Sequence, residues 1–169
     1  PDSVISIGVS TFSGCTSLAE ITVSPDNKNY SSVDGVLFNK DGSELIIYPK
    51  GNGRSAYTVP DGVTSISGSA FSGCTSLKEI VIPDSVTTIG SSAFEGCTSL
   101  SKVKLSNNLT IIEERTFYDC TSLAEIVIPD SVTEIRGRLD SEYYGGAFVG
   151  CTSLAEIVIP DSVTRIGES

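Results

Sequence analysis

The sequence repeats itself, and a fixed repeat length constrains the fold of a chain more than any other feature. Residues 121–133 and 152–164 are identical and read TSLAEIVIPDSVT. Five cysteines stand at positions 15, 74, 97, 120 and 151, so the spacings between them are 59, 23, 23 and 31 residues. The unit is therefore 23 residues long, with eight residues added once. A period of this length predicts a solenoid in which each repeat forms one coil.

The repeats divide the 169 residues into one predicted domain of stacked coils. We number the coils 1 to 6 in chain order: 1–23, 24–59, 60–82, 83–105, 106–128 and 129–159, followed by a partial coil at 160–169. Because the array begins and ends inside repeats, we expect it to be a fragment of a longer array. We expect no signal peptide and no membrane insertion, because the chain has neither an apolar leader nor a run of about 18 apolar residues.

Each repeat contains one short alternating stretch that predicts a strand. In coil 3, Ile80 and Ile82 face inward while Glu79 and Val81 face outward, which is the period of a half-buried strand. Stacked coils would place such strands about 4.8 Å apart in one parallel sheet. We expect strands centred near Ile21, Tyr57, Ile80, Val103, Ile126 and Ile157.

The segment SSAFEGC of coil 4 is too short for an independent helix and predicts one 3₁₀ or α turn. Gly96 would end the turn in the left-handed conformation, and Gly14, Gly73, Asp119 and Gly150 hold the same place in other coils. We expect a column of stacked core phenylalanines next to the cysteines: Phe12, Phe71, Phe94, Phe117 and Phe148.

Coil 2 departs from the repeat. Asp41-Gly42 lies between two apolar runs, which predicts an antiparallel hairpin of Val33–Phe38 and Leu45–Tyr48 rather than a calcium loop.

Composition excludes several classes of function. The chain has 21 acidic and 11 basic residues, a formal charge of −10, which argues against nucleic acid and anionic membranes as partners. It has no histidine, so catalytic triads and zinc sites based on histidine are excluded. The cysteine count is odd and CxxC is absent, so we expect five free, buried thiols and no metal or cofactor.

The repeat unit resembles IPxSVTxIGxxAFxxCxxLxxI, the unit of BspA-like, or treponemal-type, leucine-rich repeat proteins. Coils 1, 3, 4, 5 and 6 carry this pattern. The resemblance implies an α/β fold: a right-handed leucine-rich-repeat solenoid with a parallel sheet on its concave face and short 3₁₀ or α turns and extended segments on its convex side. It also implies a cell-surface or secreted location, no enzymatic activity, and adhesion to a protein such as a host extracellular-matrix or surface protein.

Two surfaces are candidates for binding a partner. The outward strand positions form two columns, which fit either a solvated sheet face or a binding surface: Glu79, Lys102, Glu125 and Glu156, and Val81, Lys104, Val127 and Val158. The insertion of coil 6, residues 136–146, is either a tolerated surface loop or a specific contact. Its candidate residues are Arg136, Arg138, Asp140, Tyr143 and Tyr144.

The function predicted from the sequence is that of a protein-binding repeat scaffold. A glycan-binding module is one alternative, because Tyr143 and Tyr144 could stack on a sugar ring. A purely structural spacer is the other.

Overall fold

The computed structural model describes residues 1–8, 11–137 and 145–167, and within these ranges the chain forms short strands joined by turns, with no helix. The strands are β1 (Tyr30–Val33), β2 (Val36–Asn39), β3 (Glu44–Ile47), β4 (Ala56–Thr58), β5 (Ser65–Ile66), β6 (Glu79–Val81), β7 (Thr88–Ile89), β8 (Lys102–Lys104), β9 (Ile111–Ile112), β10 (Glu134–Arg136) and β11 (Arg165–Gly167).

Sheet I consists of β4, β6 and β8 in parallel, in the order of the chain. Tyr57, Ile80 and Val103 are paired in register, which confirms the strands expected around them. Near Ile126 and Ile157 the pairing is reduced to one parallel bridge between Val127 and Val158.

Coil 1 does not join sheet I in the way expected. The backbone N–H of Ile21 donates to the carbonyl of Gly35, 2.8 Å away, in the hairpin of coil 2. The strand expected near Ile21 is therefore replaced by a contact with the hairpin turn.

Sheet II is a second parallel ladder, so the expectation of a single parallel sheet is wrong. Its strands β5, β7, β9, β10 and β11 come from the VTxI segments of coils 3, 4 and 6 and of the partial coil, and from the corresponding LTII segment of coil 5. They form two blocks that separate between β7 and β9. Threonine hydroxyls reinforce it, because Thr87 donates to the carbonyl of Thr64 and Thr133 to that of Thr110, each at 3.3 Å.

The segments that contain the core phenylalanines form turns without helix, so the expectation of 3₁₀ or α turns is wrong. Alternate N–H groups donate to the next coil: Phe71 donates to Ala93 at 2.8 Å and Phe94 to Thr116 at 2.9 Å. A helix would direct these donors along its own chain instead. The left-handed residue at the end of each turn is confirmed, with φ of 70° at Gly96 and 56° at Asp119.

The core is one continuous cluster that runs through the coils. Phe71, Phe94, Phe117 and Phe148 stack with ring centroids 5.0 to 5.5 Å apart, as predicted. Tyr48 of coil 2 stacks on Phe71 at 5.0 Å and holds the place that we expected Phe12 to fill.

Coil 2 forms the predicted antiparallel hairpin between β2 and β3. β1 adds a third, antiparallel strand, and β3 joins sheet II by pairing in parallel with β5. The hairpin is therefore part of the array and is not an appendage.

Candidate interaction surfaces

The outward face of sheet I brings together the members of the two predicted columns that lie on β6 and β8. Glu79 pairs with Lys102, and Val81 pairs with Lys104, in the parallel register of β6 and β8. Glu79, Lys102, Lys104, Glu125 and Glu156 are all exposed, whereas Val81 is half-buried.

The apolar end of this face lies beyond β8. Val127 and Val158 are 80% and 68% exposed, and they are joined by a parallel bridge. Exposed β-branched side chains in adjacent coils make a small apolar strip next to a basic strand.

The positive charge of Lys104 on β8 is balanced by the carboxylate of Asp84. Hydrogen bonds from the Asn107 backbone and side chain hold the pKa of Asp84 below its usual value, and the charge of Lys104 lowers it further. Asp84 therefore stays ionised near Lys104, at the edge of the face.

Most of the candidate residues in the insertion of coil 6, namely Arg138, Asp140, Tyr143 and Tyr144, lie outside the described residues. The base of the insertion is tightly closed, since a Cβ on Gly137 would lie 3.2 Å from the Cα of Gly146. The carbonyl of Gly145 accepts the N–H of Arg115 at 3.1 Å, which is the bond that Glu114 makes for Ser92 in the previous junction. The insertion thus leaves and re-enters the coil at one point.

Arg136 is a residue of the ladder rather than a free loop residue. Its Nη1 donates to both carboxylate oxygens of Glu113, at 2.8 and 3.0 Å, and its Nε lies 3.3 Å from Oε1 of Glu134. Arg165 reaches the other oxygen of Glu134 at 2.9 Å. Arg136 therefore links coils 5 and 6 through its ion pair with Glu113.

Sequence analysis missed this ionic network on sheet II. Glu134 is only 4% exposed, and the guanidinium of Arg136, followed by that of Arg165, holds its pKa below the usual range. A usable signal was present, because opposite charges occupy the same repeat position in consecutive coils: Glu113 with Arg136, and Glu134 with Arg165.

All five cysteines are free, but the expectation that all are buried is wrong. Cys74, Cys97 and Cys120 are buried, Cys151 is half-buried and Cys15 is exposed. The thiols of Cys74, Cys97, Cys120 and Cys151 each donate to the carbonyl of the aromatic residue in the preceding coil, as Cys97 does to that of Phe71 at 3.1 Å. Burial raises the pKa of Cys74 to about 12 and that of Cys151 to about 11.

Two further observations concern the described ranges. They contain no group of three histidine, cysteine, aspartate or glutamate side chains placed to hold a metal ion. None of their segments forms a helix long and apolar enough to cross a bilayer.

Together, the stacked 23-residue coils and parallel ladders define a β-solenoid repeat scaffold. The family model of the BspA type leucine-rich repeat region matches the chain in six copies, over residues 1–50 and 50–169. The chain belongs to this family. No curated protein matches the sequence significantly.

Several solved structures are similar to this chain. A leucine-rich repeat protein of T. pallidum is 33% identical, with a TM-score of 0.64 over 82% of this chain and 60% of its own. A leucine-rich cell surface protein of Faecalibacterium prausnitzii is 32% identical, with a TM-score of 0.63 over 86% of this chain and 43% of its own. The pneumococcal vaccine antigen PcpA is 25% identical, with a TM-score of 0.70 over 91% of this chain and 46% of its own. The chain thus spans about half the length of these proteins.

Proposed function

We propose that this chain is a non-enzymatic, protein-binding part of a cell-surface or secreted adhesive protein, and that the outward face of sheet I is its contact surface. The name of the Faecalibacterium prausnitzii neighbour supports the surface location, since that protein is described as a cell surface protein. Repeat scaffolds commonly use a continuous ladder face for binding.

The observation that carries the proposal is the exposure of Val127 and Val158. Solubility does not require valine at these positions, whereas burying their side chains against a partner is favourable by about 25 cal/mol per Å². Lys102 and Lys104 lie on the adjacent strand, so a partner would meet an apolar strip bordered by charge. That combination is typical of the centre and rim of a protein interface.

The test replaces Val81, Val127 and Val158 together with serine. Because Val127 and Val158 are exposed and Val81 is half-buried outside the core, the triple variant should fold like the parent protein. Binding to a panel of purified host matrix proteins is measured by surface plasmon resonance. We expect the triple variant to lose about tenfold in affinity for any partner that the parent binds.

Val33→Ser is the matched control. Val33 is 54% exposed but lies on β1, at the hairpin and away from sheet I. The control should bind as the parent does. Equal affinity of the triple variant and the parent would remove sheet I as the site, and binding to a glycan array without binding to any protein would favour the glycan module.

A further inference from the structure

Three rows of main-chain hydrogen bonds run along the array: sheet I, sheet II and the turns that contain the core phenylalanines. All three rows join coils 3 and 4, because β6 pairs with β8, β5 pairs with β7, and the turns are bonded as described above. Between coils 4 and 5, within the described ranges, only the turns keep their row: Phe94 donates to Thr116 at 2.9 Å and Gly96 to Tyr118 at 2.8 Å. The main chains of these two coils are therefore joined along one side only.

Coil 5 differs from its neighbours at the corner where the coil begins. Coils 3, 4 and 6 and the partial coil begin with proline and aspartate, whereas coil 5 begins with Ser106 and Asn107. Two carboxylates stacked at this corner repel each other, and neither can donate a hydrogen bond. Asparagine can donate to the aspartate of the preceding coil. The change of residue type therefore supplies a donor at the junction where both ladders stop.

Side chains at this corner close the side of the junction that the ladders leave open. The Asp84 carboxylate accepts the backbone N–H of Asn107 at 2.9 Å and its side-chain amide at 3.3 Å. The side-chain amide of Asn108 donates to the carbonyl of Asp84 at 2.7 Å. The hydroxyl of Ser106 donates to the carbonyl of Val86. We call these contacts the coil 5 clasp.

The clasp holds the coils less firmly than the turns on the other side do. Asp84, Asn107 and Asn108 are exposed, so water competes for each of their hydrogen bonds. The turns are supported by the core, because the rings of Phe94 and Phe117 stack with their centroids 5.5 Å apart. An opening motion at this junction therefore separates the clasp before it separates the turns.

We propose that the coil 5 clasp is a latch, and that the array opens at this junction with the turns as its hinge. Coils 5 and 6 then move as one block, because β9, β10 and β11 remain paired with each other. The motion changes the spacing between Lys104 and Val127, which hold the same repeat position in coils 4 and 5. A partner that contacts both blocks would select one hinge angle. The hinge itself does not depend on the proposed function, since it requires no partner.

The test measures the distance between two spin labels by double electron–electron resonance. Thr58→Cys and Glu156→Cys place the labels at exposed positions of coils 2 and 6, and Cys15→Ser removes the exposed native thiol. Short labelling spares the other four thiols. The labels lie four coils, or about 19 Å, apart, and the junction lies between them.

Asp84→Ala removes the acceptor of the clasp and should lengthen the label distance. Because packed layers lie about 10 Å apart, a rotation of about 15° about the turns moves the labels about 3 Å further apart. Asn107→Asp restores the residue of the other coils, places a second carboxylate next to Asp84, and should lengthen the distance in the same way. This second variant keeps the test decisive if Asp84→Ala does not fold.

Asp61→Ala is the matched control. Asp61 is exposed and holds the same repeat position in coil 3, where both ladders continue into coil 4. Its truncation should leave the label distance as it is in the parent.

Hydrogen exchange locates the hinge. The amides of Phe94 and Gly96 donate across the junction in the turns, so in both clasp variants they should exchange within about twofold of their rates in the parent. The inference is overturned if neither clasp variant changes the label distance, or if Asp61→Ala changes it equally. Loss of protection at the two amides would also overturn it, because coil 5 would then detach and not rotate.

Discussion

Phe94 shows how a single side chain holds three coils together. It is fully buried, and its ring stacks on Phe71 at 5.0 Å and on Phe117 at 5.5 Å. Truncation to alanine removes both stacking contacts and leaves a cavity that the neighbouring backbone cannot close, because that backbone is fixed by bonds between coils. We expect Phe94→Ala to lower the free energy of unfolding by about 3–5 kcal/mol, as measured by denaturant titration.

Phe12→Ala is the control for the register of the aromatic column. Phe12 is half-buried beside a cavity that residues of coils 2 and 3 also line, and Tyr48 stands in the column instead. Truncation of Phe12 should therefore cost clearly less than that of Phe94. Equal losses for the two variants would contradict this placement of the rings.

The cysteines differ in reactivity because only one of them is exposed. A thiol reacts as its thiolate, and burial raises the pKa of Cys74 to about 12 and places those of Cys97 and Cys120 higher still. At pH 8 we expect a disulfide reagent to titrate Cys15 at once, Cys151 slowly, and the other three only after denaturant is added. Rapid titration of more than two thiols in the native protein would show that the coils open.

Glu134 makes stability depend on pH in the acid range. Its pKa is lowered in the folded state below the usual 4.5, because it pairs with Arg136 and Arg165. The stability that it contributes is therefore complete above about pH 4.5 and is lost as the pH falls through the folded value. We expect Glu134→Gln to be less stable than the parent at pH 7, with the difference shrinking below pH 4.5 in denaturant titrations.

Glu156→Gln serves as the comparison, because Glu156 is exposed in coil 6. Its effect should be small and should not vary over the same pH range. If Glu134→Gln lowers the free energy of unfolding by the same amount at pH 7 and at pH 3, Glu134 contributes through packing and not through charge.

The insertion of coil 6 should be dispensable for folding. Coil 6 has 31 residues against 23, so removing the eight residues from Gly137 to Tyr144 restores the repeat length. Gly145 already makes the bond to Arg115 that the corresponding residue makes in other junctions. We expect the deletion variant to keep the thermal midpoint of the parent within a few degrees, as measured by differential scanning calorimetry. Removing Arg138 to Tyr144 leaves one extra residue and should be slightly less stable.

The elements that sequence analysis predicted are those with a strong local signal. Alternation predicted β6 and β8, and a glycine or aspartate after each turn predicted a positive φ. Sheet II was missed because β5, β7 and β9 are two residues long, and two residues cannot show a period of two. The sequence predicts helical turns here because it does not show whether an N–H group bonds within its own coil or to the next one.

The candidate surfaces were predictable to different degrees. The columns of sheet I follow from the repeat register, because residues 23 positions apart stand side by side, as Glu79 and Lys102 do. The ion pair of Arg136 could be predicted only by knowing that Glu113 of coil 5 lies opposite it.

The junction between coils 4 and 5 is the place in the described ranges where both parallel ladders are interrupted. Sheet II is interrupted there between β7 and β9, and sheet I ends at β8. Backbone bonds still join the turns of these coils, as from Phe94 to Thr116 at 2.9 Å. Next to the interrupted ladder the contacts involve side chains: the Asn107 backbone N–H donates to the Asp84 carboxylate at 2.9 Å, and the Asn108 side-chain amide donates to the carbonyl of Asp84 at 2.7 Å. Hydrogen bonds made by exposed side chains hold the coils less firmly than a ladder does.

Hydrogen exchange should detect this difference. Thr87 and Gly90 donate to coil 3, and Thr133 donates to coil 5, whereas Thr110 and Glu113 make no corresponding bond to coil 4. We expect the amides of Thr110 and Glu113 to exchange at least tenfold faster than those of Thr87 and Gly90 under native conditions. Uniform protection across the four amides would show that the two blocks of sheet II are joined in solution.

The stacking of coils by bonds to their immediate neighbours also determines how the molecule responds to force. Tension applied along the axis loads one junction after another, so coils should detach one at a time instead of all at once. Each detached coil of 23 residues releases roughly 80 Å of extended chain. An array that lengthens stepwise absorbs mechanical work at each step. The coils that have not yet detached stay folded meanwhile.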